Sequence, residues 1–158
     1  MQIQLSQKEK MLLADGKSQE EICVIKYQNY ANQAKDPELK QLFNQLGAEE
    51  QNHYDTLNQL LQGQAPNMNQ SQGKQQQNQQ QAQQGTAQGA AMGNAGDKVL
   101  CTDLLSTEKF VSGMYDTVIF EAANPVVRQA LQHIQQDEQH HGEQLFNYMH
   151  SHGMYQVQ

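Results

Sequence analysis

The sequence predicts an all-α four-helix bundle made of two duplicated helical hairpins joined by one long crossover linker. Three observations predict it: an internal repeat at a constant offset of 88 residues, apolar spacing of three and four within each repeat, and a long polar segment between them. Asp36-Pro37 and Asn124-Pro125 mark the offset. In the same register Asp15 falls on Asp103, Glu20 on Glu108, Tyr27 on Tyr115, Ala34 on Ala122, Glu50 on Glu138, His53 on His141 and Leu57 on Leu145. Chance does not hold one gapless register over that length, so the chain contains one unit twice.

Each unit reads as two helices. In the first, Leu13, Cys23, Val24, Tyr27, Tyr30, Ala31 and Ala34 form one stripe. Asp36-Pro37 ends that helix, because the residue before proline avoids the α region and proline suits the first turn of the next helix. Leu39, Leu42, Phe43, Leu46, Leu57, Leu60 and Leu61 form the second stripe. The second unit repeats the pattern with Leu105, Val111, Tyr115, Val118 and Ile119, then Val127, Leu131, Ile134, Leu145 and Met149. Ser6-x-x-Glu9 and Ser18-x-x-Glu21 both match a capping box, which leaves open a break in the first helix around Asp15-Gly16.

These readings place one hairpin over 6–61, a linker over 62–97 and the other hairpin over 98–152, both hairpins forming one domain. The linker is rich in Gln, Asn, Gly and Ala and reads as disordered. A flexible chain of that length spans about 33 Å, close to the ~36 Å of a 24-residue helix. It can therefore run the length of the bundle and leave the second and third helices parallel. One long crossover of this kind defines a ferritin-like four-helix bundle.

A net charge of −7, from 17 acidic against 10 basic residues, argues against nucleic-acid or anionic-membrane partners. No apolar run approaches the ~20 residues of a membrane span, so no membrane insertion is expected. The N-terminus lacks the pattern of a signal peptide, and a cytoplasmic protein is the expectation. Cys23 and Cys101 lack metal-finger spacing and read as small buried hydrophobes.

The apolar stripes also carry charge. Leu13, Glu20, Tyr27 and Ala34 step by seven, so Glu20 faces inward. Leu46, Glu50, His53 and Leu57 step by four, three and four, so Glu50 and His53 share the buried face. The repeat puts Glu108, Glu138 and His141 on the matching faces. No Lys or Arg on these stripes offsets four ionised carboxylates, and unpaired buried charge is costly. Two divalent ions would supply the balance. One Glu from each of two helices plus Glu-x-x-His from each of the others is the ligand set of di-metal carboxylate bundles. Tyr27 and Tyr115 lie two turns beyond Glu20 and Glu108 and are candidate hydrogen-bond partners for the carboxylates. A hydrated polar layer without metal is the alternative. Glu21, Glu49 and Asp137 are expected to rotate outward, and His133, His140, His150 and His152 to lie at the surface.

This set resembles that of rubrerythrins and bacterioferritins, which implies Glu20, Glu50, His53, Glu108, Glu138 and His141 as ligands of two iron or manganese ions. Glu20 and Glu50 are 30 residues apart, as are Glu108 and Glu138, about one turn tighter than in those families. Either a short inter-helix turn absorbs the difference or the ligands sit out of level. Lys35-Asp-Pro-Glu-Leu-Lys-Gln-Leu-Phe43, Glu121-Ala-Ala-Asn-Pro-Val-Val-Arg128, Asp137-Glu-Gln-His-His141 and Tyr148-Met-His-Ser-His-Gly-Met-Tyr155 also resemble the Coat F family of endospore coat proteins. Met154 stands where that family has Trp. The resemblance implies a structural, sporulation-associated protein made in the sporulating cell and deposited in the spore coat. Other coat proteins or further copies of the chain would be its partners. An enzymatic reading stands beside it, a di-metal oxidase or peroxidase of rubrerythrin or catalase type. The chain lacks the four-cysteine iron centre that rubrerythrin-style electron delivery would need.

Overall fold

The computed structural model describes residues 2–67 and 94–158. Most of the segment read as a disordered crossover lies outside them. Four helices account for the described secondary structure: α1 (Gln7–Gln33), α2 (Pro37–Leu61), α3 (Ala95–Glu121) and α4 (Pro125–Ser151). None is long and apolar enough to cross a membrane.

Local chemistry sets the helix ends. Ser6 caps α1, and the reciprocal bonds of a capping box with Glu9 are both present. Asp36 and Asn124 cap α2 and α4 through their side chains, each just ahead of a proline in the first turn. The second capping box is not used: α1 runs unbroken through Asp15-Gly16, and the Ser18 hydroxyl donates back to the Ala14 carbonyl. α3 starts at Ala95, just ahead of the hairpin start expected at 98. The Asn94 side chain accepts from the Gly96 and Asp97 N–H groups and starts the helix ahead of its first apolar residue.

Tyr27 reaches Glu108 and Tyr115 reaches Glu20, so α1 and α3 are antiparallel. Gln45 meets Gln144 and His53 meets Asp137, so α2 and α4 are antiparallel as well. With each hairpin antiparallel internally, α2 and α3 run parallel, as a ferritin-like crossover requires. The apolar core falls into two compartments. One gathers Leu13, Cys23, Leu57, Leu60, Val111, Val118, Leu131 and Ile134; the other gathers Ala31, Leu39, Phe43, Leu46, Cys101, Leu104, Leu145 and Met149. Glu20, Glu50, His53, Glu108, Glu138 and His141 occupy the levels between them.

Each hairpin also clasps the turn of the other. The Asp97 carboxylate accepts from the Lys35 and Asp36 N–H groups at 2.8 and 3.0 Å, and Glu9 accepts from the Asn124 N–H at 2.8 Å. Glu9 and Asp97 occupy the same place in the repeat. Asp97→Ala would strand two backbone donors at the α1–α2 turn. It is expected to cost about 1–3 kcal/mol in urea unfolding, and a loss below a few tenths would show the clasp to be incidental.

Candidate metal centre

All six polar stripe residues meet in one layer, each at most 4 % exposed. The turn between α1 and α2 is only Ala34-Lys35-Asp36, and that brevity absorbs the tight 30-residue spacing. Two four-residue groups result: Glu20, Glu50, His53 and Glu138, and Glu50, Glu108, Glu138 and His141. The ligand atoms of each group lie within 4.8 Å of one another. Glu50 and Glu138 belong to both groups. The two groups thus meet at these shared carboxylates, with Glu20 and His53 on one side and Glu108 and His141 on the other.

Both imidazoles present Nδ1 to the centre. His53 Nδ1 lies 3.0 Å from Glu138 Oε1 and 3.4 Å from Glu50 Oε2; His141 Nδ1 lies 3.2 Å from Glu50 Oε1 and 3.7 Å from Glu108 Oε2. The rings stack at 5.5 Å. Their outer nitrogens correct the expectation that Glu49 and Asp137 face solvent. His53 Nε2 sits 3.2 Å from Asp137 Oδ2, and His141 Nε2 sits 3.0 Å from Glu49 Oε2. Asp137 is buried and Glu49 half-buried. Each precedes an inward Glu in its own helix and turns toward the opposite one, to fix the partner imidazole. Repeat symmetry was the available signal, since Glu49 and Asp137 are themselves 88 apart and both acidic. His133, expected at the surface, is half-buried 3.5 Å from Asp137. Glu21 and His150 are exposed, whereas His140 and His152 are half-buried.

Tyr27 and Tyr115 work across the hairpins. Tyr27 donates to Glu108 Oε1 and Tyr115 to Glu20 Oε1, each tyrosine serving the other unit's carboxylate. Burial and the adjacent carboxylates hold both phenols well above their usual pKa, so they stay protonated as donors.

Electrostatics divides the four carboxylates into two pairs. Burial pushes Glu20 up to about 8 and Glu108 well above the usual range. In Glu50 and Glu138 burial pulls the same way, but the charges of the adjacent His141 and His53 outweigh it and hold both below the usual range. Burial alone would neutralise the histidines, yet the surrounding carboxylates keep both well above their usual pKa. Without metal the neighbours thus favour charge on both imidazoles and on Glu50 and Glu138, while burial favours protons on Glu20 and Glu108.

The residues fit a pair of divalent cations. Glu20 Oε2, Glu50 Oε2, Glu108 Oε2, both Glu138 oxygens and His53 Nδ1 are buried and make no hydrogen bond. Buried polar atoms left without hydrogen bonds at this density are costly, and all of these belong to the two ligand groups. Oxygen donors with one imidazole per position suit iron or manganese. An acid on the outer nitrogen of a metal-binding His raises its basicity, so Asp137→Ala is expected to weaken metal binding about 10–100-fold in a competition titration. An unchanged affinity would reduce Asp137 to a packing residue.

Comparison with known proteins agrees with this architecture. The Rubrerythrin family model matches residues 11–89, half of the chain, and the Coat F domain model matches residues 96–158. No curated protein matches the sequence. A crystal structure from Anabaena variabilis, of a two-domain protein containing DJ-1/ThiJ/PfpI-like and ferritin-like domains, is similar over 95% of this chain. The TM-score is 0.66 at 13% identity, and this chain spans 38% of that protein. That likeness concerns the fold alone. With its four-helix core and the family match over half its length, the chain belongs to the rubrerythrin family and carries a Coat F domain as its second hairpin.

Proposed function

We propose that this chain is a spore-coat-associated, ferritin-like protein whose core binds two iron or manganese ions. One observation carries the metal reading: six buried ligand atoms of the layer lack hydrogen bonds, and all belong to two groups that share Glu50 and Glu138. The Coat F match supports placement in the coat, reached from the cytoplasm of the sporulating cell, among other coat proteins or further copies of the chain. Glu50 and Glu138 would bridge the ions, Glu20, Glu108, His53 and His141 would complete each position, and Asp137 and Glu49 would hold the imidazoles in place.

A second reading, a di-metal oxidoreductase acting on peroxide or oxygen, draws on the completeness of the layer. A scaffold needs no such set of buried acids, which apolar residues of similar volume would replace without loss of stability. When bound, a pair of redox-active ions would supply electrons to a small oxidant. The chain's own residues would exclude bulk water, hold each imidazole through its Nε2 against Asp137 or Glu49, and hold phenolic protons at Tyr27 and Tyr115 beside Glu108 and Glu20.

Metal analysis of protein purified without oxygen tests the metal reading. Two equivalents of iron or manganese are expected, falling close to zero in Glu50→Ala/Glu138→Ala. Metal-free wild-type protein that remains fully folded in iron- and manganese-supplemented medium would sink it. Peroxide consumption by the loaded protein then separates the oxidoreductase from a passive binder.

A further inference from the structure

The duplication makes the two flanks of the metal layer directly comparable, and they differ. On the α3–α4 flank a pocket of about 500 Å³ is lined by Glu108 and Glu138, with Gly113 and Gly142 among its walls. A Cβ added at Gly113 would meet nothing within 4 Å, and one at Gly142 would meet only Leu105 Cδ1, at 3.8 Å. On the α1–α2 flank the repeat places Ile25 and Tyr54 at those positions. Lys17, the counterpart of Leu105, lies over the Tyr54 ring at 5.0 Å and donates to Asn58 Oδ1 at 2.8 Å.

A second pair of counterparts sets the spacing of the helices. Gly47 lets α2 close on α1: a Cβ there would lie 3.0 Å from Tyr27 Cβ. Gln135 takes its place in the second unit and spans the gap, donating to the Ser112 carbonyl at 2.8 Å. At Ile25 and Tyr54 one flank thus carries side chains where the other carries glycine. Glycine weakens a helix interior, so two facing one cleft need a reason. Below the cleft lie Glu108 and Glu138, at most 2 % exposed, with Glu108 Oε2 and both Glu138 oxygens making no hydrogen bond.

We propose that the α3–α4 cleft is the port through which a divalent cation reaches the layer, an inference that rests on the metal reading above. Among the lining residues Asp116 supplies a carboxylate opposite the one cation, Lys109, and Ser112 and Gln135 supply neutral oxygens. Such hard donors replace hydration waters stepwise as the ion descends to the carboxylates. On the opposite flank Ile25 and Tyr54 stand where the glycines would open the way.

Stopped-flow uptake of Co²⁺ by the metal-free full chain, read from its visible absorption, tests the port. Gly113→Ile/Gly142→Tyr copies the first hairpin's residues onto the second. It is expected to take up two equivalents with the wild-type spectrum, but about tenfold or more slowly, the change made by a barrier ~1.4 kcal/mol higher. Release to a chelator should slow in step. Equal rates in the two proteins overturn the port and leave the metal reading intact. A wild-type chain that takes up no Co²⁺ overturns the metal reading and the port with it. Should the double variant fail to fold, Gly113→Leu, which fills open space, carries the same comparison. Ile25→Ala on the α1–α2 flank should leave the rate unchanged, and faster uptake there would place the entry on that side instead.

Discussion

Lowering the pH from 7 to 6 is expected to weaken metal binding by about a hundredfold for each ion. The cause is the protonation of the layer without metal. His53 and His141 are held protonated by their carboxylate neighbours, and burial keeps protons on Glu20 and Glu108. Each incoming ion must displace one imidazolium proton and one carboxyl proton, so about four protons should leave as two ions bind at pH 7. Calorimetric titration in buffers of different ionisation heat counts them, and a pH-independent affinity would contradict the assignment of charge in the layer. For stability of the metal-free chain the sign is opposite. A group whose folded pKa is raised binds its proton more tightly when folded, so its contribution is full below the unfolded value and is lost as pH rises. For Glu20 that loss runs from about 4.5 to about 8. The metal-free chain should therefore weaken across this range relative to the loaded chain, whose carboxyls are already ionised.

Phe43→Ala should destabilise the chain by about 3–5 kcal/mol. Phe43 is fully buried and meets the Tyr27 ring edge-on at a centroid distance of 6.0 Å. Its loss leaves a cavity directly against the tyrosine that donates to Glu108. Urea unfolding measures the stability, and metal titration of the folded variant should show one of the two positions weakened more than the other. A cost below about 1 kcal/mol would mean that the compartment collapses around the missing ring.

The fold was legible because helical period and proline punctuation are local signals, and the repeat supplied each of them twice. Glu20, Glu50 and His53 could be turned inward from spacing alone, since the residues three and four positions away are apolar. What escaped the sequence was partnership across helices. Nothing in the period of α1 says that Tyr27 serves Glu108 rather than Glu20, because that follows from the antiparallel crossing of α1 and α3. Asp137 and Glu49 sit at the edge of their stripes, where helical phase places a side chain equally well toward solvent or toward a neighbouring imidazole. The early start of α3 was hidden because Ala95 and Gly96 carry no apolar signal and Asn94 also suits a loop. The second capping box misled for a related reason. Its serine bonds equally well to the carbonyl one turn back, in the helix interior.

Neither hairpin holds a complete buried ligand group. The group around His53 takes three members from the first hairpin and Glu138 from the second; the group around His141 takes three from the second and Glu50 from the first. An ancestral peptide of one hairpin would have bound metal only as a two-fold pair, each copy lending one glutamate to the other. Its capacity would then have vanished on dilution. Gene fusion removes that dependence, because the second half is tethered at a fixed effective concentration whatever the abundance of the protein. It also releases the halves from identity. A homodimer must mutate both flanks of its site together, whereas the fused chain can change one and keep the other.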